Sequence, residues 1–518
     1  MPARSLRRAL IAPLSLAVLT STLIASQPAE AEAEVDAAAA TRLEAESATL
    51  SSGSTIDTDH TGFSGTGFVN TPNKVGSYVQ WTVNRTQAGP ATLSFGHANG
   101  TTANRAVNIT ANGTLITENV AAPSTGGWTQ WRTVVTTANL KAGTNTIRVT
   151  ATTANGAPNL DYLDVVTGTP DWSVAMVNST MARYQPTTIG GWSYPVGLYL
   201  YGQYLVYQRT HDPKYLAYLK SWVDRFVDSS GNINNSFNDL DSMLSGRLLV
   251  VLHHETGDNR YKVAATKIRT RLNTYSRTAD GGFWHANYRQ HQLWGDGVFM
   301  VDPFLAEYGR EFGDSTYTSK ETVAQLLTYA SHLQRPNGLL RHAYDEARAQ
   351  TWADPTTGLS PEVWCRAEGW YGMAVIDVLA AVPANQPRRA ELIEVLRKLV
   401  AAYANYQDPA TGRWFQVVDK GSQAGNWTET SCSSMYTFVI SRAVQHGYVD
   451  ASYQAVADRG YRGVLAKISL GGDGRTNLKD ISVGTNVGDY QFYVDRTRAT
   501  NDFHGLGAFL IMNEQLRG

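Results

Sequence analysis

Two patterns of hydrophobic and polar residues divide the chain. Between residues 42 and 168, apolar and polar residues alternate over short stretches such as 77–83 and 147–151, and turn clusters such as Asn99-Gly100 separate them. Short alternating segments of this kind are typical of an antiparallel β-sandwich, in which each strand buries one face. From residue 172 onward the apolar residues recur every three to four positions, which predicts helices. We therefore predict a multidomain chain with a β-sandwich over 42–168 and an all-α domain over 172–518.

A repeated Asp-x-x-Tyr motif organises the helical part. It begins at Asp212, Asp258, Asp314 and Asp450, each time after a short turn that follows an apolar helix. In each copy the Asp can cap the first turn of a helix, and the Tyr can pack inward one turn later. The repeat predicts helical hairpins in a closed toroid of six inner and six outer helices, with these four helices in the outer layer. The alternative is an open α-solenoid that only binds a ligand. About twelve helices are predicted to begin near residues 172, 192, 213, 240, 260, 296, 316, 368, 386, 431, 450 and 501.

The N-terminus has the pattern of a secretory signal peptide. Arginines precede an apolar run over residues 9–25, and Ala-x-Ala cleavage options follow. The run is short for a membrane anchor and is interrupted by Pro13, which disfavours that alternative. We expect residues 1–31 to be removed and residues 32–41 to be a linker, so that the mature protein is secreted to the extracellular space. The choice between the Sec and twin-arginine routes stays open.

Composition mainly excludes partners. The 518 residues include 44 basic and 45 acidic side chains, with no basic stripe, so we expect neither a nucleic-acid nor a membrane partner. The 13 Trp and 26 Tyr residues suit stacking on sugar rings, although large helical cores also use aromatic residues. The two cysteines, Cys365 and Cys432, can form a disulfide after export, but these observations leave the pairing open.

Candidate chemistry is concentrated in the long loops that precede the predicted inner helices. Such loops share one face of a helical toroid, where functional residues commonly collect. The carboxylates there can act as acid and base, the tryptophans as stacking platforms, and Arg366 as the partner of a substrate carboxylate. The candidate residues are Tyr194, Asp241, His285, Asp296, His342, Trp364, Arg366 and Trp370.

Each candidate also has a purely structural interpretation. Asp241 and Asp296 can be helix N-caps, and the histidines and tryptophans can belong to the core. The spacing of the histidines and carboxylates does not favour a metal site, because no His-x-x-x-His pattern occurs. The joint occurrence of these residues on one face favours an enzyme.

These same motifs resemble glycoside hydrolase family 105, the unsaturated rhamnogalacturonyl hydrolases, and the related unsaturated glucuronyl hydrolases of family 88. The resemblance covers about residues 172–518. It implies an (α/α)6 barrel with Asp296 as general acid/base, assisted by Asp241, and no cofactor for catalysis. Tyr194, His285, His342, Trp364, Arg366 and Trp370 would line the pocket. The ordered motifs are 293–306 (LWGDGVFMVDPFLA), 337–346 (NGLLRHAYDE), 360–370 (SPEVWCRAEGW), 429–431 (ETS) and 501–507 (NDFHGLG).

The reaction implied by this resemblance is the removal of a 4,5-unsaturated uronic acid from the non-reducing end of lyase-generated oligosaccharides. Unsaturated rhamnogalacturonan disaccharides are the expected substrate. Protonated Asp296 would give a proton to C4 and water would attack C5, so that no carboxylate nucleophile is needed. This role would require a raised pKa of Asp296. The alternatives are a glucuronyl hydrolase for other lyase-treated polysaccharides, a lyase or ordinary endo-glycosidase, and a non-catalytic carbohydrate-binding protein.

Two features depart from the family pattern. Cys365 and Cys432 both lie in loop-face motifs before inner helices, which favours a disulfide between them. Glu368 would place negative charge near the proposed uronate site, so it makes the substrate preference uncertain.

The N-terminal domain resembles carbohydrate-binding modules of families 35 and 6. The relevant motifs are 43–46 (LEAE), 61–69 (TGFSGTGFV), 126–131 (GGWTQW) and 159–162 (NLDY). The resemblance implies a structural Ca²⁺ held by Glu44, Glu46 and Asp161, whose hard oxygen ligands suit that ion. It also implies that Trp128, Asn159 and Tyr78 contact sugar, so that this domain binds a polysaccharide while the helical domain binds an oligosaccharide. The alternative that Trp128 and its neighbour Trp131 are both core residues stays open.

Overall fold

The computed structural model describes residues 41–86, 88–168, 171–471, 473 and 475–517. The predicted signal peptide over 1–31 and all but the last residue of the predicted linker over 32–41 lie outside the described residues. In the described ranges, no helix is long and apolar enough to cross a membrane.

The N-terminal domain is an antiparallel β-sandwich. Its first sheet has the strand order β3-β4-β11-β6-β9, with β1 also paired to β11, and its second has the order β2-β5-β10-β7-β8. The strands are β1 (Thr41–Glu44), β2 (Thr49–Leu50), β3 (Thr55–Asp57), β4 (Phe68–Asn70), β5 (Tyr78–Arg85), β6 (Gly89–Ala98), β7 (Val107–Ala111), β8 (Thr114–Val120), β9 (Arg132–Leu140), β10 (Gly143–Ala151) and β11 (Asn159–Thr167).

The alternation seen in the sequence explains how the two sheets bury a core. In β5 the side chains of Val79 and Trp81 are buried, and their cross-strand partners in β10, Val149 and Ile147, are buried too. Because successive side chains of a strand point to opposite faces, these four residues face the space between the sheets. The predicted sandwich is confirmed.

The C-terminal domain is a helical barrel with short β-hairpins in its loops. Its helices are α1 (Trp172–Arg183), α2 (Tyr194–Thr210), α3 (Pro213–Val223), α4 (Gly246–Thr256), α5 (Asn259–Arg271), α6 (Gly297–Phe312), α7 (Ser315–Leu333), α8 (Cys365–Ala381), α9 (Arg389–Asn405), α10 (Thr430–Gln445), α11 (Gln454–Leu465), α12 (Tyr490–Val494) and α13 (Phe503–Leu516). The hairpin strands are β12 (Gln292–Trp294), β13 (Ala343–Asp345), β14 (Trp414–Phe415), β15 (Thr428–Glu429), β16 (Ile468–Leu470), β17 (Thr476–Leu478), β18 (Ile481–Ser482) and β19 (Arg498–Ala499).

Six helices form a closed inner ring. Helices α2, α4, α6, α8, α10 and α13 each pack on the next, and α13 packs on α2. This closure excludes the open solenoid. The inner helices are buried on nearly all sides, as every residue of α8 from Cys365 to Ile376 shows, because they contact both the barrel interior and the outer layer. Helices α1, α3, α5, α7, α9 and α11 form that outer layer, and the short α12 lies in the loop before α13.

The Asp-x-x-Tyr helices lie in the outer layer, and three of their four Asp residues act as caps. Asp212, Asp258 and Asp450 each accept a hydrogen bond from the backbone N–H two residues later. Asp314 does not cap α7, because its carboxylate forms an ion pair with Arg269 of α5 at 2.6 Å instead. The motif therefore marks the helix starts, but one copy uses its carboxylate to join two outer helices.

Cys365 and Cys432 form a disulfide, with their Cα atoms 5.7 Å apart. The bond joins the first turns of α8 and α10, which are neighbours in the inner ring. It thereby fixes the spacing of two helix starts on the loop face.

Candidate active site

A short hairpin brings Asp296 and His342 together. Strands β12 and β13 pair so that Trp294 lies opposite Ala343, and the N–H of Gly295 donates to the carbonyl of His342 at 2.8 Å. Asp296 follows β12 at the start of α6, and His342 directly precedes β13. As a result, His342 Nε2 lies 3.2 Å from Asp296 Oδ2.

A second carboxylate, Asp241, reaches the same site from the loop before α4. The N–H of Leu240 donates to the carbonyl of His285 at 3.0 Å, which places His285 Nε2 3.6 Å from Asp241 Oδ1. The imidazole of His285 stacks on the indole of Trp294, with ring centres 4.6 Å apart. Contacts through His285 and Trp294 therefore link Asp241 to the hairpin that positions Asp296.

Helix capping does not account for either carboxylate. Asp296 stands at the N-cap of α6, but its side chain makes no capping hydrogen bond. Asp241 begins a 3-10 turn, Asp241–Met243, and its side chain makes no capping bond either. The capping role beside it belongs to Asp239, which accepts from the N–H of Ser242 at 2.7 Å. The side chain of Asp241 is 35% exposed and that of Asp296 is 13% exposed, so both can be reached from the loop face.

The two carboxyl groups have opposite proton affinities. Burial, with the negative charges of Asp296 and Asp239, raises the pKa of Asp241 to about 8. Burial alone would also raise the pKa of Asp296, but the neighbouring imidazoles of His342 and His285 hold the pKa of Asp296 below its usual value. The expectation of a raised pKa at Asp296 is therefore wrong for the free protein. The pair holds one proton near neutral pH, and that proton resides on Asp241.

A third side chain, Tyr194, faces the carboxylates from the start of α2. Its hydroxyl lies 2.7 Å from His504 Nε2, and His504 Nδ1 lies 2.6 Å from Asp502 Oδ1. Burial and the charge of Asp241 raise the pKa of Tyr194 well above its usual value. Tyr194 is therefore a neutral hydrogen-bonding group, oriented by the His504–Asp502 pair.

Tyr493 of α12 orients His342. Its hydroxyl lies 2.5 Å from His342 Nδ1 and also accepts a hydrogen bond from the N–H of Gly488 at 3.2 Å. A hydroxyl that already accepts is free to donate to Nδ1, and this favours the tautomer with its proton on Nε2, which faces Asp296. Trp364 packs on the same imidazole at 4.6 Å. No motif pointed to Tyr493, because it reaches the site from a long irregular loop.

Arg366 and Trp370, two of the predicted pocket residues, are both buried. Arg366 is 1% exposed, and its guanidinium donates to the carbonyls of Ser482 and Val483. In this arrangement Nη1 and Nη2 hold that loop and Nε has no partner, so a contact of Arg366 with a substrate carboxylate stays a prediction. Trp370 is also buried and stacks on Phe299 of α6 at 4.8 Å, so it packs beneath the site.

Glu368 does not place a charge in an open pocket. Its side chain is fully buried, and its carboxyl group accepts from the N–H of Leu340 and the hydroxyl of Tyr436. Burial raises its pKa to about 8. The concern that Glu368 repels a uronate is therefore not supported, because the group is predominantly neutral at pH 7 and points into the core.

The predicted sugar-contacting residues of the sandwich lie at one end of it. Tyr78 begins β5 and Asn159 begins β11, and the loop that carries Trp128 joins β8 to β9 at the same end. Trp128 is half-buried, packs on Gly100 and stacks with His60 at 5.7 Å. Asn159 is buried. Trp128 therefore combines a fixed orientation with access to solvent, as does Tyr78, whose ring lies 4.1 Å from the guanidinium of Arg148.

The predicted calcium ligands surround one loop. Asp161 and Glu44 accept hydrogen bonds from Ser64 at 3.0 and 2.8 Å, and Glu46 accepts from Thr66 at 2.6 Å. Burial and the charge of Glu44 raise the pKa of Asp161 to about 6, and Glu46 Oε2 is buried without a hydrogen-bond partner. Both features fit a cation held by hard oxygen ligands.

The carboxylate oxygens of Glu44, Glu46 and Asp161 do not all lie within 4.8 Å of one another. Among the described residues, the one group of three side chains with metal-ligating atoms within 4.8 Å of each other is Cys365, Glu429 and Cys432. Its two sulfur atoms are already bonded to each other. The chemistry of Glu44, Glu46 and Asp161 therefore suits Ca²⁺, whereas their spacing would have to contract around it.

Both domains match known families. The helical domain matches Glycosyl Hydrolase Family 88 over residues 172–516, and the sandwich matches Carbohydrate binding module (family 6) over residues 44–167. The structure of a family 105 glycoside hydrolase from C. acetobutylicum ATCC 824 is 33% identical, with a TM-score of 0.64, and the match covers 67% of this chain and 99% of that one.

Two curated relatives agree with this assignment. An unsaturated rhamnogalacturonyl hydrolase, YesR, from Bacillus subtilis (strain 168) is 27% identical over 276 residues, which cover 52% of this chain and 76% of the relative. Endo-1,4-beta-xylanase B from Cellvibrio japonicus (strain Ueda107) is 46% identical over 116 residues, 22% of this chain and 19% of the xylanase. The chain therefore belongs to Glycosyl Hydrolase Family 88: it is a glycoside hydrolase with the fold of its family 105 relatives and an N-terminal carbohydrate-binding module.

Proposed function

We propose that the protein removes a 4,5-unsaturated uronic acid from the non-reducing end of lyase-generated oligosaccharides. The observation that carries this proposal is the pair of Asp241 and Asp296 on the loop face of the barrel, each beside a histidine and with pKa values shifted in opposite directions. Hydration of a C4=C5 double bond needs a proton at C4 and a base for the water that attacks C5. A pair with one protonated and one ionised carboxyl group can supply both.

The proton reaches the substrate through Asp296 in this proposal. An anionic sugar that displaces water beside Asp296 raises its pKa by desolvation and like charge, so that the proton of Asp241 can pass to it. Asp296 then gives the proton to C4, and the cation at C5 bonds to the oxygen of water, which returns a proton to the Asp296 carboxylate. The resulting hemiketal opens as the bond between C5 and the ring oxygen breaks, its C5 hydroxyl loses a proton to become a ketone, and the ring oxygen gains a proton. This leaves a hemiacetal at C1, which collapses to an aldehyde and releases the aglycone as an alcohol.

Three neighbouring side chains have supporting roles in this proposal. His342 holds the Asp296 carboxylate, and His285 contacts Asp241. Neutral Tyr194 can donate a hydrogen bond to the sugar or to the attacking water. Trp364 and Trp370 pack beneath these groups and keep them in place. No cofactor is needed in this scheme.

We propose unsaturated rhamnogalacturonan disaccharides as the substrate. The support is the likeness to a relative named as an unsaturated rhamnogalacturonyl hydrolase. The second candidate is a glucuronyl hydrolase that acts on other lyase-treated polysaccharides, since the family match itself is to family 88.

A panel of lyase digests tests both the chemistry and the substrate. Purified protein is mixed with rhamnogalacturonan, pectin and glucuronate-containing digests, and the loss of the ultraviolet absorbance of the conjugated double bond is followed. We expect the fastest loss with the rhamnogalacturonan digest, no activity in Asp296→Asn, and unchanged activity in Asp458→Asn, which alters an exposed Asp of outer helix α11. Near-normal turnover by Asp296→Asn would disprove the mechanism, and faster loss with a glucuronate digest would favour the second candidate.

We further propose that the protein is secreted and that its sandwich binds polysaccharide in the presence of Ca²⁺. The hydrogen-bonded carboxylates around Ser64 and the half-buried Trp128 support this proposal. In calorimetry, Ca²⁺ should raise the unfolding temperature of the wild type but not of Glu46→Gln, and Trp128→Ala should lose retention on immobilised pectin or xylan. Equal Ca²⁺ responses of the wild type and Glu46→Gln would contradict the assigned ligands.

A further inference from the structure

We propose that Arg289 binds the carboxylate of the substrate and makes the enzyme selective for acidic sugars. This inference rests on the proposed function, because it names the contact that the uronic acid would make. Arg289 lies in the loop between His285 and Asp296, both of which are residues of the site.

A tight turn directs Arg289 back to the site. The N–H of Arg289 donates to the carbonyl of Ala286 at 2.9 Å, and that of His285 donates to the carbonyl of Gln292 at 2.8 Å. The loop thus folds on itself before β12, and the guanidinium carbon of Arg289 lies 4.1 Å from the ring centre of Trp294. The indole that stacks on His285 therefore also supports Arg289.

The charge of Arg289 acts on Asp241 and His285. It opposes the rise in the pKa of Asp241, and it adds to the effect of burial in lowering the pKa of His285 to about 4. Both effects require the guanidinium to lie near these two groups. A carboxylate bound to Arg289 would consequently lie on the side of the site that holds Trp294 and His285.

Arg289 has unused hydrogen-bonding capacity. Nη2 donates to Asn486 Oδ1 at 2.8 Å, whereas Nε is buried without a hydrogen-bond partner. Among the described residues, no carboxylate lies within 4 Å of its guanidinium. A half-buried cation without a counter-charge is costly, and an anionic ligand with two oxygen atoms would remove that cost.

Two other cations of the loop face have carboxylate partners. Lys420 pairs with Glu362 at 2.6 Å, and Arg335 pairs with Asp419 at 2.8 Å. Arg366, which the sequence suggested for this role, is buried and donates to backbone carbonyls. Arg289, which packs on Trp294, is half-buried and keeps an unpartnered Nε.

The position of this contact also fits the chemistry. In a 4,5-unsaturated uronic acid the carboxylate is attached to C5, one end of the reacting double bond. A bidentate contact with Arg289 would therefore fix the orientation of the double bond relative to Asp241 and Asp296. A neutral sugar would leave the Arg289 charge without a partner, which accounts for selectivity.

Substitutions at Arg289 combined with two forms of one substrate test the inference. The variants are Arg289→Gln, Arg289→Lys and a matched control, Arg310→Gln, which alters an exposed arginine in the last turn of α6 at the other end of the barrel. The substrates are the unsaturated disaccharide as its free acid and as its methyl ester. We expect Arg289→Gln to lower kcat/KM for the acid by about 10- to 100-fold, the usual effect of losing a charged hydrogen bond, and to change that for the ester less than about threefold.

The remaining outcomes have defined meanings. Arg289→Lys should restore part of the loss because it keeps the charge, and Arg310→Gln should match the wild type. An equal loss on acid and ester, or no loss on the acid, would overturn the inference. Unfolding temperatures of all variants show whether a loss of activity reflects misfolding. If Arg289→Gln misfolds, the comparison of acid and ester is made with Arg289→Lys instead.

A binding measurement separates this inference from the proposed function. Galacturonic acid and its methyl ester are titrated into the wild type and Arg289→Gln by calorimetry. We expect the wild type to bind the acid at least about tenfold more tightly than the ester and Arg289→Gln to lose this difference. A wild type that is inactive on every digest would refute the proposed function, whereas equal acid binding by the wild type and Arg289→Gln would refute the role of Arg289.

Discussion

The protonation of Asp241 controls the alkaline limit of activity if the proposed mechanism is correct. Burial and the nearby charges of Asp296 and Asp239 raise the pKa of Asp241 to about 8. At pH 7 the protonated form should therefore exceed the ionised form by about ten to one, and at pH 9 the ratio should be about the reverse. Because catalysis needs the proton of the pair, kcat/KM should fall about tenfold from its plateau to pH 9.

The acid limb has the opposite sign. The pKa of Asp296 is held below its usual value by His342 and His285, so across the neutral range the pair keeps one negative charge, which stabilises the cation that forms at C5. The value of kcat/KM should decline only when the pH falls toward the lowered pKa of Asp296. Together the two limbs define a plateau on which the pair holds one proton.

Replacing Asp241 with Asn gives the decisive profile. This variant has no proton to lose, so its residual kcat/KM should show no alkaline limb near pH 8, although its rate should be lower throughout. Initial rates are measured from the loss of double-bond absorbance at substrate concentrations well below KM, and circular dichroism at each pH checks folding. An alkaline limb that persists with the same midpoint in Asp241→Asn would refute the assignment of the proton. If the variant is inactive, a carbon-13 titration of the Asp carboxyl groups in the wild type replaces the rate, and a midpoint near 4 for Asp241 would refute it.

Three further changes follow from the contacts around the site and in the core. Tyr493→Phe removes the hydroxyl that orients His342, so kcat should fall about 10-fold with little change in unfolding temperature, and an unchanged pH–rate profile and kcat would exclude this role. Asp302 is fully buried with both carboxyl oxygens unpartnered, and burial raises its pKa well above the usual value. Because the folded state then binds more protons than the unfolded state, wild-type stability should decrease as the pH rises above about 4. In denaturant melts, Asp302→Asn should lose part of this pH dependence. Replacing both Cys365 and Cys432 with Ala opens a cross-link that spans 67 residues, which should lower the free energy of unfolding by about 2–4 kcal/mol; equal denaturation midpoints for the oxidised wild type and the double variant would contradict this.

Local sequence patterns were sufficient for the architecture. A period of two residues predicts strands and a period of three to four predicts helices because each reports which side of one element is buried. The Asp-x-x-Tyr motif predicted where the outer helices begin, because an Asp at a helix start can accept a hydrogen bond from a nearby backbone N–H. Asp314 is the exception because Arg269, distant in sequence, offers its carboxylate a stronger partner.

The site residues were predicted unequally. Asp296, Asp241, His285 and His342 lie in compact motifs, and the structure brings all four together on the loop face. Tyr493 lies in the short helix α12 and Arg289 lies in a loop. No periodicity or spacing in the sequence marks either residue. Arg366 was assigned a ligand because of its charge, but its burial against two backbone carbonyls is a property of the assembled loops.

The sequence by itself predicted the two domains, the helical repeat and the motifs that carry the carboxylates, because these depend on local periodicity and short-range spacing. Closure of the helices into a ring depends on the packing of α13 on α2, which the tertiary structure decided. Only the tertiary structure decided which carboxyl group holds the proton. That property depends on burial and on charges from residues far apart in the chain: Asp241 faces two carboxylates, whereas Asp296 faces two imidazoles. The tertiary structure likewise decided which arginine a ligand can reach, because Arg366 is buried against a loop more than 100 residues away, whereas Arg289 is half-buried.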